Sequence, residues 1–209
     1  MSRFGQSFSK IAIICYTFSI IYSRGDIPLL DFSNIINFTN IISLLIAAFM
    51  LYFPYVWCRM KKEPSYTYGL QWFMTKNAWY NVIILTIFTL VPLTPIAMQW
   101  DAQIPYRLSA SAVFELLGSG IAAAFIEETF WRGWVQTILS RKIGVPFAII
   151  AASFLFACTH LIINPSWVRI ATFFPGLIMG WLRWRHDSIM PAILYHAFGN
   201  VWSVWFFPR

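Results

Sequence analysis

Long apolar runs separated by short polar groups dominate the chain. Residues 1–10 are polar, with Arg3 and Lys10. Residues 11–22 are apolar but only 12 in number, and Ser23, Arg24 and Asp26 close the run. A bilayer takes about 20 helical residues, so this run predicts a short tilted span or a helix lying in the interface. No small-residue cleavage site follows it, so a removed signal peptide is not expected. Residues 35–58 predict a span ended by Arg59, Lys61 and Lys62, and 59–77 a polar loop with Pro64. Residues 78–98 predict the next span. Its Pro92 and Pro95 are tolerated if neighbouring helices satisfy the freed carbonyls. After a connection from Asp101 to Arg107, a long helix is expected over 109–140. Spans over 145–163, 167–184 and 188–207 follow, with a turn at Asn164-Pro165-Ser166. The expectation is an all-α, polytopic transmembrane bundle of six to seven spans, one integral-membrane domain over 1–209.

Composition strengthens this reading. The chain has 209 residues, 59% apolar, 19% aromatic and 11% charged, where a soluble domain carries about 25% charged residues. Disorder, a disulfide-framed secreted module and an ordinary cytosolic enzyme are excluded. Cys15, Cys58 and Cys158 form no CxxC and lie in or at the end of apolar runs, which predicts buried free thiols.

The net charge is +7, which in a soluble protein would suggest nucleic acid. Here Arg59, Lys61, Lys62, Arg141, Lys142, Arg183 and Arg185 flank apolar runs, the pattern of charge that sets membrane topology. No nucleic-acid partner is expected. With the N-terminus inside and the spans alternating, ten Lys/Arg fall inside and four outside. A cytoplasmic N-terminus is therefore expected.

Five ionisable groups stand within apolar helices, where each costs several kcal/mol and marks function by default: Glu127, Glu128, Arg132, His160 and His196. In F-I-E-E-T-F-W-R-G-W, residues 125–134, Glu128 and Arg132 are i,i+4 neighbours able to pair. Glu127 is rotated about 100° from Glu128 and is left without that neutralisation, so it is suited to proton transfer. A purely structural pair explains Glu128 and Arg132 but not Glu127. In F-A-C-T-H, residues 156–160, Phe156 and His160 share a face. Alone, such a histidine is more often a packed core residue. In H-A-F-G-N, residues 196–200, His196 and Asn200 share a face and need partners, which a ligand cleft or an oxyanion can supply.

Rise per residue bears on whether these groups meet. Glu127 is roughly 21 Å from Arg141, His160 roughly 22 Å from Val145, and His196 and Asn200 roughly 12 and 18 Å from Ser188. With those helix ends level, all but His196 fall within about one turn in height. There is no H-E-x-x-H, and Asp26, Asp31, Asp101 and Asp187 all lie in connections. Gly118-Ser119-Gly120 reads as small-residue packing.

The set E-E-x-x-x-R, F-x-x-x-H and H-x-x-x-N on successive apolar segments resembles the CAAX protease and bacteriocin-processing (CPBP, Abi) family of glutamic-type intramembrane proteases. The resemblance covers 109–207. It implies Glu127 as the general base acting with His160 on water, His196 and Asn200 as the oxyanion-stabilising pair, and Glu128 and Arg132 as their support. It implies a protein or peptide substrate with a hydrophobic or lipid-modified tail, cut near its C-terminus or membrane anchor, at a membrane of bacterial cell-membrane type. Two alternatives stay open. One is a zinc-dependent protease, since two His and two Glu can form a metal site. The other is a non-catalytic immunity or scaffold protein of the same fold. A metal-free site is expected because a ligating His needs a partner for its other nitrogen, and Glu128, facing Arg132, and distant Glu115 are the carboxylates left to serve.

Overall fold

The computed structural model describes residues 38–100, 103–163 and 167–207. The run 11–22, Cys15, the start of the span at 35, Asp101, the turn at 164–166 and Arg209 lie outside the described residues. Within them, six helices follow one another: α1 (Phe38–Lys61), α2 (Lys76–Trp100), α3 (Ala110–Ile143), α4 (Val145–Ile163), α5 (Phe173–His186) and α6 (Met190–Phe206). The fold is all-α.

Local chemistry sets the boundaries. Ser109 caps α3, its Oγ accepting from the Ala112 N–H at 3.3 Å. Gly144, at φ 79°, separates α3 from α4. The run 167–184, expected as one span, is instead a 3-10 turn, Trp167–Thr172, followed by the 14-residue α5. Pro175 explains the break, because proline is favoured in a helix's first turn and disrupts its interior. Within α3, residues Thr129–Val135 are π-helical rather than α-helical, a departure that the apolar pattern does not reveal. Pro92 and Pro95 lie inside an uninterrupted α2.

The helices α1 to α4 are long and apolar enough to cross a membrane. The 14 residues of α5 are fewer than the usual span, and the 17 of α6 are at its lower limit. Large apolar side chains such as Leu45, Phe88, Phe147 and Ile162 face outward from α1, α2 and α4. In water so much exposed apolar surface would aggregate, and in lipid it is matched by the acyl chains. The chain is a membrane protein.

The innermost helix is α6, packed against α2, α3 and α5. Two hydrogen bonds tie it to α2: Tyr195 Oη donates to Thr89 Oγ1 at 3.1 Å and Trp202 Nε1 to Thr94 Oγ1 at 2.9 Å. Without a hydrophobic drive between helices in lipid, such polar bonds and close packing hold the bundle. The loop expected as merely polar, between α1 and α2, is a strap over one end of the bundle. Its Tyr68 is fully buried. Glu63 forms a forked pair with Arg141 at 2.6 and 3.1 Å. The Gly69 carbonyl accepts from the Ile189 N–H at 2.9 Å, and Ser188 Oγ reaches the carbonyls of Gln71 and Phe73. Of the thiols expected to be buried, Cys58 is, whereas Cys158 is half-buried, and neither is in a disulfide.

Candidate active site

The three motifs meet where α3, α4 and α6 converge. Glu128 and Arg132 on α3 are both fully buried, with Glu128 Oε2 3.3 Å from Arg132 Nε. Arg132 also donates through Nη2 to the Gly176 carbonyl at 3.2 Å and stacks over the Phe156 ring at 4.4 Å. The approach to α5 needs glycine: a Cβ at Gly176 would lie 3.0 Å from the Ser153 Cβ and 3.3 Å from Arg132 Nη2. Phe156 joins all three motifs, since its ring centroid is 4.4 Å from that of His160 and 5.9 Å from that of His196.

Glu127 points elsewhere, as 3.6 residues per turn requires. Its Oε2 lies 3.9 Å from His160 Nε2 and 3.9 Å from His196 Nε2. That oxygen is buried and has no hydrogen-bond partner among the described residues. The distances exceed a direct hydrogen bond and suit one small bridging group. His196 therefore stands beside Glu127, contrary to the height reckoned from the sequence. That reckoning took Ser188 as level with Arg141 and Val145. Ser188 is instead fully buried beneath the strap, whereas Arg141 is exposed.

The other nitrogens are engaged too. His160 Nδ1 is 3.0 Å from the Phe156 carbonyl, and His196 Nδ1 is 2.8 Å from Glu128 Oε1. A carbonyl only accepts, so Nδ1 of His160 carries a proton and donates to it, and Nε2 is the nitrogen that faces Glu127. Glu128 thus serves Arg132 with one oxygen and His196 with the other. This double use was not foreseen. It removes the second-nitrogen objection to zinc, because both imidazoles have the partner that a ligand needs. The geometry fits zinc less well. Donor atoms about 2.0–2.1 Å from a tetrahedral ion are roughly 3.3 Å apart, against 3.9 Å here. Among the described residues no group of three or more His, Cys, Asp or Glu is arranged to hold a metal ion.

Asn200 Nδ2 donates to the Gly120 carbonyl at 2.8 Å, leaving its second N–H for another acceptor. A Cβ at Gly120 would lie 3.0 Å from the Asn200 Cβ, so the small-residue stretch on α3 lets α6 come close. Glu127, His160, His196 and Asn200 all line one cleft of about 380 Å³. Ser119, Arg169, Ser203 and Phe207 also line it. Sequence reasoning missed Arg169 and counted it with the topology-setting charges. Its one signal was a basic residue near the start of the apolar run 167–184, soon after the segment that carries His160.

The 109–202 segment matches the family model described as type II CAAX prenyl endopeptidase Rce1-like. The match is consistent with the CPBP family and holds all three motifs. It supports a CAAX-type intramembrane endopeptidase in general, a hydrolase class. No curated protein and no solved structure matches the chain.

Proposed function

We propose that the protein is an intramembrane endopeptidase in which Glu127 and His160 activate water, His196 and Asn200 stabilise the oxyanion, and Glu128 and Arg132 hold the site in place. The observation that carries this reading is the position of Glu127 Oε2, 3.9 Å from both imidazole Nε2 atoms in a cleft of peptide size. One water fits between these groups. Glu127 takes a proton from it as its oxygen attacks the peptide carbonyl carbon. The carbonyl electrons move to oxygen, and that oxyanion accepts from Asn200 Nδ2–H and from Nε2–H of an imidazolium at His196. Collapse re-forms the carbonyl and breaks the C–N bond, and Glu127 returns its proton to the leaving amine. No step requires a metal. Substrates of this reading are membrane-associated proteins or peptides with a hydrophobic or prenylated tail.

The test is cleavage of prenylated and unprenylated peptides by purified, reconstituted protein. Glu127→Gln keeps shape and removes the base, and should lower the rate about 10²- to 10⁴-fold with unchanged thermal unfolding. Wild-type activity should survive dialysis against a chelator. Near-normal turnover by Glu127→Gln sinks the role of Glu127. Activity lost to the chelator and restored by zinc recasts that carboxylate as a ligand. A chain that cleaves nothing, yet binds the peptides, is the scaffold alternative.

A further inference from the structure

Two of the helices that carry the site meet at one leucine of the strap. Leu70 is buried in a cluster with Ala124 of α3 and Ile189, Ile193 and Ala197 at and along α6. A Cβ at Gly133 would run into Leu70 Cδ2 and would lie 3.7 Å from Ile189 Cγ2. Leu70 thus enters a notch that glycine leaves in α3, beside the residue that precedes α6. Gly133 belongs to the π-helical stretch Thr129–Val135, next to Arg132, and such stretches recur at functional sites. Arg132 pairs with Glu128, and Glu128 bonds His196 across to α6. The strap also fastens the foot of α6. The Gly69 carbonyl accepts from the Ile189 N–H at 2.9 Å, and Ser188 Oγ donates to the Gln71 carbonyl at 2.8 Å. Gln71 Nε2 donates to the Asp187 carbonyl at 3.1 Å. Gly69 has φ 63°, and a Cβ there would lie 2.7 Å from Arg183 Nε, so the backbone just before Leu70 is pressed against α5.

His196 lies seven residues beyond Ile189, about 10 Å along α6. Protein interiors compress little and transmit displacement, so a shift at the foot of α6 reaches His196. The bond from His196 Nδ1 to Glu128 Oε1, 2.8 Å long, joins α6 to α3. It weakens once the two atoms stand more than about 3.2 Å apart, so it holds only while the helices keep their relative height. We propose that Leu70 is a positioning residue for the reaction: seated against Gly133, it sets the height of α6 against α3 and so aligns His196 with Glu128 and Glu127. This rests on the peptidase reading and adds to it a point of control at the end of the bundle remote from the cleft.

The test exchanges volume between the two positions and reads three quantities in reconstituted protein: turnover of a prenylated peptide, the unfolding temperature, and the nitrogen NMR signals of isotope-labelled histidine. The chain has three histidines, and His160→Gln and His186→Gln assign the signals. Leu70 is only 3% exposed, so in Gly133→Ala its displaced methyl pushes on the strap or on α6. Gly133→Ala should lower kcat about 10²-fold with KM little changed, as a displacement of about 1 Å does. It should also shift the His196 Nδ1 signal as the bond to Glu128 is lost. Adding Leu70→Ala to Gly133→Ala gives the space back, and should regain at least about tenfold in kcat, as expected of residues in contact, and return the signal. Leu70→Ala alone empties the notch and should cost about tenfold in kcat with the same shift of signal; it carries the test by itself if Gly133→Ala does not fold. Losses in kcat that add in the double variant overturn the proposal. Unfolding temperatures that fall while kcat and the His196 signal hold also overturn it, and leave Leu70 a packing residue. A wild type that cleaves nothing sinks the peptidase reading alone, because the signal still reports whether Leu70 and Gly133 align His196. Normal cleavage beside an unmoved signal in the variants does the reverse.

Discussion

The two adjacent glutamates behave differently because a helix turns about 100° between them. That much is legible in E-E-x-x-x-R, where one carboxylate has an arginine at i+4 and the other has none. The contact of Glu128 with His196 is not legible, because 68 positions of chain separate the two residues. It carries a consequence at the residue scale. Glu128 bonds Arg132 and His196 in a fully buried setting, so removing it leaves a buried charge uncompensated and an imidazole free to turn. Glu128→Ala and Arg132→Ala should each cost about 3–5 kcal/mol of stability. Glu128→Ala should also misplace His196, whereas Arg132→Ala keeps that bond. Thermal unfolding in detergent, beside turnover of the survivors at low temperature, tests both points. Wild-type unfolding temperatures in both variants, with activity lost, would make the pair catalytic rather than supporting.

Among the elements, the apolar runs foretell α2 and α4 to within two residues, since a membrane helix is read from an unbroken run and its polar ends. They do not foretell the π-helical stretch of α3, which packs against α1. Nor do they foretell the strap, whose partners Arg141, Ile189 and Ser188 lie far along the chain. The strap offers a pH prediction. The hydrogen bond from Arg141, and then that with Tyr68, hold the Glu63 carboxyl below the usual glutamate range. A depressed acid stabilises the fold above its unfolded value, about 4.3, and that contribution is lost as pH falls through the folded value. Wild type should therefore unfold at a higher temperature than Glu63→Gln at pH 7, and the gap should close below about pH 4. A gap unchanged at pH 3 would show that the fastening does not depend on the charge of Glu63.

Across the whole molecule, charge and cleft lie at opposite ends. Arg59, Lys61, Lys62, Lys76, Arg141, Lys142, Arg183 and Arg185 stand at the end of α1, the start of α2 and the ends of α3 and α5. The strap binds that end together through Glu63–Arg141 and Gly69–Ile189. At the other end the Tyr106 N–H donates to the Trp205 carbonyl, joining the approach to α3 with the end of α6. Arg107 and Arg169 are the basic residues there among the described residues. Basic residues accumulate on the cytoplasmic side, so the strap should be cytoplasmic and the end bearing Phe207 and Arg169 should face outward, toward exported substrates. The check is labelling of intact cells with a membrane-impermeant maleimide, with Cys15, Cys58 and Cys158 replaced by alanine and a single thiol introduced by Arg107→Cys or Lys142→Cys. Both positions are exposed. Arg107→Cys should label in intact cells, and Lys142→Cys only after the membrane is opened. The opposite pattern would turn the cleft toward the cytoplasm, and exported proteins would then not be the substrates it meets.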